Sequence, residues 1–193
     1  RRDFGGYLRV NGYFAYQLSK ILRPDDVVWI HDYHLIPLGG ELRQLGHKNR
    51  IGFFLHVPFP PPEVTTALPH HERLLSLLLQ YDLVGFQTES DVRNFIRYVI
   101  AENRELSGRF FQATDKQYVL SHGDRQVRVG SFPVGIDAPA FQRLARRAAR
   151  STFVRDVVAS LEGRALVIGV DRLDYSKGLV QRIEAFEQFF ASH

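Results

Sequence analysis

No cysteine occurs in the 193 residues, which excludes a disulfide framework, a thiolate nucleophile and a cysteine-based zinc site. Long apolar runs are absent too, and the opening RRDFGG lacks the apolar stretch of a signal peptide. A cytoplasmic chain without a membrane partner is the expectation. The sequence has neither G-x-x-x-x-G-K-[ST] nor G-x-G-x-x-G, which argues against a P-loop NTPase and a conventional dinucleotide oxidoreductase. It has no G-x-S-x-G elbow, no H-E-x-x-H helix and no D-x-D pair. What is left to carry chemistry is histidine, carboxylate and basic side chains.

With 45% apolar residues, there is enough material for one good core and part of a second. The net charge of +4 and a pI near 9.5 suit an anionic partner. Acidic and basic residues are mixed along most of the chain, so phosphorylated small molecules fit at least as well as nucleic acid, which is not expected.

Apolar spacing predicts an amphipathic helix over Tyr7–Leu22, ended by Arg23-Pro24-Asp25-Asp26. Val27–Ile30 is an unbroken β-branched and aromatic run, as in a strand covered on both faces, and it breaks into His31-Asp32-Tyr33-His34. Helical periodicity resumes over Leu35–Leu45 with Gly46 as C-cap, and Arg50–Val57 reads as a second buried strand. Strand, helix and strand make a βαβ unit with parallel strands that share one end. Pro58–Pro62 reads as a stiff loop that excludes helix, followed by a leucine-rich helix within Glu63–Gln80 and a third strand at Leu83–Gln87. Thr88 and Asp91 are spaced as an acidic capping box for a helix over Glu89–Ala101. Periodicity is weak between Glu102 and Asp115, and a glycine-turn hairpin spans Tyr118–Ser131. After a linker at Phe132–Asp137, a helical stretch covers Ala138–Glu162, Ala165–Val170 reads as a buried strand, Asp171–Gly178 as a polar loop and Leu179–Phe190 as a helix. The arginines at 143, 146, 147 and 150 share a helical stripe that reads as a solvated face.

Three strand ends are unusually polar, and buried polar groups need partners, internal or bound. His31, Asp32 and His34 are residue types that ligate metals. Neighbours in an extended segment point to opposite faces, however, which argues against convergence. The plain alternative is that Asp32 caps the following helix. His56, taken alone, reads as a satisfied core histidine, although the stiff loop beside it would place the ring reproducibly. Arg172 and Lys177 lie between a strand and a helix start, where a phosphate would meet two cations and the helix N-terminus.

The segments YLRVN (Tyr7–Asn11), VWIHDYHLIPL (Val28–Leu38), NRIGFFLHVPFP (Asn49–Pro60), YDLVGFQT (Tyr81–Thr88), FPVGID (Phe132–Asp137) and VDRLDYSKGL (Val170–Leu179) together closely resemble the trehalose-6-phosphate synthases, retaining glycosyltransferases of the GT-B fold. The resemblance spans nearly the whole chain. It implies an α/β fold with a Rossmann-like parallel sheet flanked by helices. Residues 1–136 would form part of an acceptor-side domain, and residues 137–193 a linker helix and the first β-loop-α unit of a donor-side domain. It also implies transfer of glucose from UDP-glucose or GDP-glucose to glucose 6-phosphate with retention, forming α,α-trehalose 6-phosphate, without a cofactor or a metal. Asp32 would hold acceptor hydroxyls, with Tyr33 and Phe4 beside it, and His56 would lie at the reacting centre. Arg172 and Lys177 would bind the donor diphosphate. His31, Tyr33 and His34 would mainly orient the Asp32 carboxylate and close the turn. Many family members carry Trp where this chain has Phe4. The family's glycine-rich donor loop and most of its second domain have no counterpart in these residues, so the chain alone is expected to be inactive. A homo-oligomer is compatible with the resemblance. So are two other readings: a catalytically silent binding module, and a related enzyme that couples a cyclitol nucleotide to an amino-cyclitol phosphate.

Overall fold

Residues 2–102, 110–114 and 117–192 are described in this computed structural model, and they fall into two units, Arg1–Gly135 and Ile136–His193. In the first unit α1 (Arg2–Ser19) leads into β1 (Val27–His31), a 3-10 turn (Tyr33–Leu35), α2 (Ile36–Gln44) and β2 (Arg50–Phe54). Next come α3 (Pro62–Thr65), α4 (His71–Leu78), β3 (Leu83–Phe86) and α5 (Glu89–Glu102). The strands β4 (Phe110–Thr114), β5 (Gln117–His122) and β6 (Arg125–Ser131) complete it. The sheet order is β1-β2-β3-β6-β5-β4. It is parallel from β1 through β6 and antiparallel from β6 through β4. This is the α/β class that the strand-helix alternation predicts, with the hairpin turning at Gly123.

Val28, Ile30, Ile51, Phe53, Val84, Val127 and Val129 pack one face of the sheet against Leu38, Leu42, Leu75, Leu78, Phe95 and Val99. The opposite face of β1 is open: Val27 is 70% and Trp29 66% exposed. The apolar run that reads as a strand covered on both faces therefore alternates, because side chains alternate across a strand and only one face of β1 is covered. β1 is one edge of the described sheet and β4, where periodicity is weak, is the other; residues 103–109 and 115 of that stretch lie outside the described residues.

Local chemistry explains the element ends. The Gly46 N–H donates to the Arg43 carbonyl and the His47 N–H to Leu42, with Gly46 at φ +87, a Schellman close of α2. Thr88 and Asp91 form the reciprocal capping box, Asp91 N–H to Thr88 Oγ1 at 3.2 Å and Thr88 N–H to Asp91 Oδ2 at 3.1 Å. Pro62 begins α3 despite lying in the proline run read as excluding helix, since the first helical position needs no N–H. The leucine-rich helix expected within Glu63–Gln80 is α4, and Pro69 separates it from the short α3. At the amino ends of the strands Asp82 accepts from the Ile51 N–H at 2.7 Å, Arg43 at 2.9 Å and Arg125 at 3.1 Å. Burial pulls the Arg43 guanidinium below its ordinary value, opposed by Asp82.

The second unit holds α6 (Ala138–Ala148), α7 (Thr152–Ser160), a 3-10 turn (Tyr175–Lys177) and α8 (Leu179–Ser192). The helical stretch expected over Ala138–Glu162 divides where Ser151 caps α7. The four arginines of the stripe are exposed, as a solvated face requires. The buried strand expected at Ala165–Val170 is not formed: the segment has no regular secondary structure, and Ile168 is 75% and Val170 88% exposed. Among the described residues this unit has no strand with which the segment could pair, and a lone strand would leave its ladder groups unpaired.

Tyr81 ties α2 to the core. Its hydroxyl accepts from the Gly39 N–H at 3.1 Å and donates to the Ile36 carbonyl at 2.9 Å. A Cβ on Gly39 would lie 2.5 Å from the Tyr81 ring, so α2 packs here only because residue 39 has none. Tyr81→Phe strands these buried groups and should lower stability by about 1–3 kcal/mol in urea unfolding. Burial also holds the Tyr7, Tyr81 and Tyr98 phenols well above the ordinary value. Unfolded phenols ionise near pH ~10. Stability should therefore be intact below that pH and fall as pH rises from it toward the higher folded-state values, with a shallower fall in Tyr81→Phe. An alkaline unfolding curve that is flat above that point would contradict this.

Candidate active site

Parallel pairing brings the carboxyl ends of β1 and β2 to one edge, with His31 opposite Phe54. The Asp32 N–H then donates to the Phe54 carbonyl at 2.8 Å, one rung past the strand. Immediately after that rung Asp32 adopts φ 68, ψ 162, a region nearly reserved for glycine that costs about 1–3 kcal/mol in other residues. Its Oδ1 accepts from the Tyr33 N–H at 3.0 Å, so this carboxylate caps the short 3-10 turn and not the helix expected to follow it: α2 starts after Leu35, which makes no side-chain cap bond.

His56 is exposed, which corrects the reading of it as a core histidine: β2 ends at Phe54, and the ring projects from the loop beyond. His31 Nδ1 lies 2.8 Å from His56 Nε2, with the rings stacked at 5.1 Å and 20°. One nitrogen must donate and the other accept, so the tautomer of one ring dictates that of its neighbour. Phe54 meets the His56 ring edge-on at 4.9 Å. His31 thus orients His56, whereas the resemblance implies that it serves Asp32. The Tyr33 and His34 rings stack on each other at 4.0 Å.

Phe4 and Tyr33 line a cavity of about 630 Å³ together with Tyr7, Leu55, His70 and Leu74. Phe4 stacks on His70 at 4.4 Å, and the Arg73 guanidinium lies 5.7 Å from the Phe4 ring centre. Asp32 and His56 are not among its lining residues. His31 and His56 instead border a recess of about 350 Å³ with Trp29, Phe54 and Phe132. Among the described residues His and carboxylate atoms converge at His71, Glu72 and Glu102, a group that includes none of the residues of the polar strand end. There His71 Nδ1 already pairs with the Tyr98 hydroxyl at 3.0 Å and with Glu102 at 3.6 Å.

In the second unit Arg172 is 83% exposed on its side chain and lies 4.0 Å from Asp174. Asp174 accepts from the Ser176 N–H and Oγ, each at 2.9 Å. These bonds, with Arg172 and Lys177 nearby, hold the Asp174 carboxyl below the ordinary range. Lys177 ends the 3-10 turn, Gly178 follows at φ +59, and α8 begins at Leu179. Both cations therefore sit ahead of a helix start, as expected, although the strand expected before them is not formed. Asp171 pairs with Arg182 of α8 at 2.6 Å.

Two residues inside the YLRVN segment carry no role in the sequence reading. The Tyr7 hydroxyl donates to the Tyr33 carbonyl, and Asn11, 1% exposed, donates to the His34 carbonyl at 3.1 Å. A buried asparagine within a helix is the signal that could have marked them.

The backbone at Asp32 makes a direct prediction. Asp32→Gly and Asp32→Ala both lose the cap, but only glycine is at ease at this φ. Chemical unfolding should find the glycine variant more stable by about 1 kcal/mol or more; an alanine variant of equal or greater stability would contradict the strain.

The sequence model of glycosyltransferase family 20 matches residues 1–193. The chain is 47% identical to a trehalose-6-phosphate synthase of Sinorhizobium fredii over 100% of its own length and 40% of that protein. It is 42% identical to one of Klebsiella pneumoniae, over 97% of its length and 38% of the relative. Among solved structures it is similar to an alpha,alpha-trehalose-phosphate synthase (UDP-forming) of Burkholderia xenovorans in complex with glucose-6-phosphate. The TM-score is 0.83 at 44% identity, over 100% of this chain and 42% of that one. It is also similar to a structure described as trehalose-6-phosphate from E. coli bound with UDP-2-fluoro glucose, with a TM-score of 0.74 at 41% identity over 95% and 39% of the two chains. The chain spans about 40% of the length of the first of these relatives. A six-stranded α/β sheet and this likeness over the whole chain lead to one conclusion: the chain belongs to glycosyltransferase family 20.

Proposed function

We propose that the whole protein transfers glucose from UDP-glucose to glucose 6-phosphate with retention, forming α,α-trehalose 6-phosphate. The observation that carries this reading is likeness over the full chain to a UDP-forming trehalose-phosphate synthase solved with glucose-6-phosphate. GDP-glucose is the donor to compare, since both nucleotide sugars present the same diphosphate. The site residues support the reading by their chemistry. Asp32 offers a carboxylate at a strand end, the position at which open α/β sheets hold ligands. Phe4 and Tyr33 share a cavity whose aromatic walls suit the apolar face of a sugar ring. A cytoplasmic setting belongs to the proposal and suits a chain without cysteine; no helix among the described residues is long and apolar enough to cross a membrane.

In this proposal the donor diphosphate is bound by Arg172 and Lys177. As the glycosidic bond breaks, negative charge develops on the departing phosphate oxygen, and the two cations stabilise it. That oxygen takes the acceptor's proton as the new bond forms on the same face, so no carboxylate acts as nucleophile. Asp32 positions acceptor hydroxyls, and His56, oriented by His31, lies beside the reacting centre.

The whole protein incubated with UDP-glucose and glucose 6-phosphate should release UDP only when both are present, and Arg172→Ala should lower kcat by about 10²-fold or more. A chelator should leave the rate unchanged. Donor turnover with an amino-cyclitol phosphate in place of glucose 6-phosphate would point to the coupling enzyme, and absence of turnover with either pair to a binding module.

A further inference from the structure

Asn11 lies within α1 and is 1% exposed, although asparagine is a poor residue for a helix interior because its side chain competes for backbone groups. Its Nδ2 donates to the Tyr7 carbonyl at 3.0 Å and to the His34 carbonyl at 3.1 Å. Its Oδ1 is buried without a partner among the described residues, so the side chain is kept for what its amide nitrogen does. One helical turn earlier, on the same face, the Tyr7 hydroxyl donates to the Tyr33 carbonyl. That carbonyl cannot receive the usual helical bond from four residues on, because residue 37 is proline and has no N–H.

Tyr7 and Asn11 thus grip two consecutive carbonyls of the turn that starts at Asp32. On its other side Asp32 is fixed by its N–H on the Phe54 carbonyl at 2.8 Å. A residue tied at both ends cannot relax, and this one retains φ 68, ψ 162. Strain of this kind persists only where the surroundings over-determine the backbone.

We propose that Tyr7 and Asn11 are positioning residues that hold Asp32 in its strained conformation and so fix where its carboxylate meets the acceptor sugar. This rests on the assignment of Asp32 to the acceptor. Tyr7 also lines the cavity with Phe4 and Tyr33, so Asn11 is the cleaner probe. Asn11→Asp keeps the shape of the side chain and replaces its donor with an acceptor facing two carbonyls.

The test uses the whole protein and has two arms. In the kinetic arm, Asn11→Asp lowers kcat/KM for glucose 6-phosphate by about 10²-fold, the size of effect that a small misplacement of a reacting group produces. The KM for UDP-glucose stays within about twofold of wild type. Should Asn11→Asp not fold, Tyr7→Phe, which removes only a hydroxyl, carries this arm. In the thermal arm, Asp32→Gly raises the melting temperature of the wild type, and raises it less in an Asn11→Ala background, where the freed turn has already relaxed. The thermal arm needs no turnover. A wild type inactive on glucose 6-phosphate would therefore overturn the functional reading while the melting temperatures still decide the coupling. Equal gains from Asp32→Gly in both backgrounds, or an unchanged kcat/KM in the folded Asn11 or Tyr7 variant, would overturn the proposal.

Discussion

The parallel pairing of β1 with β2 is the constraint on which the rest of the first unit depends. Its register sets His31 against Phe54, and the ladder runs one bond further, to the Asp32 N–H. That last rung leaves the chain no relaxed way into the 3-10 turn, so Asp32 turns through a backbone region that suits glycine. The same register lets the rings of His31 and His56 meet at 2.8 Å between nitrogens. Interior packing and the Asp82 network at the opposite strand ends keep the register from slipping, since a slip of one residue would carry the apolar set of β1 to the open face.

Much of this was legible in the sequence, for a physical reason. Runs such as Ile51–Leu55 cannot be mistaken when both sides of a strand are close to other chain, and Thr88 with Asp91 announces a helix start through chemistry that is complete within four residues. What misled was apolar content taken without its neighbours. Val27–Ile30 and Ala165–Val170 are both apolar runs rich in β-branched residues, yet the first is half open and the second pairs with nothing among the described residues. Burial is a property of the partner surface, which a local pattern does not encode.

The site was legible in part. The polar break after β1 drew attention to Asp32, but the helix it was expected to cap starts later, after a 3-10 turn that Asp32 caps instead. The role of His31 did not follow, because its partner His56 is distant in sequence and is brought near only by strand pairing. Tyr7 and Asn11 escaped for the same reason: their bonds reach carbonyls across a helix-to-turn packing contact, and backbone acceptors leave no trace in a sequence.

Each unit carries its own candidate chemistry. The first supplies a rigid sheet edge with a preset carboxylate and an aromatic-lined cavity, and the second supplies exposed cations ahead of a helix. The central claim is that Asp32 is set in place to hold the acceptor sugar. Its most direct test is a crystal structure of the whole protein with glucose 6-phosphate and UDP. The account predicts the Asp32 carboxylate within about 3.2 Å of sugar hydroxyls, with its backbone still in the strained region. A bound sugar that leaves Asp32 without a contact, or an Asp32 backbone relaxed to an ordinary conformation, would contradict it.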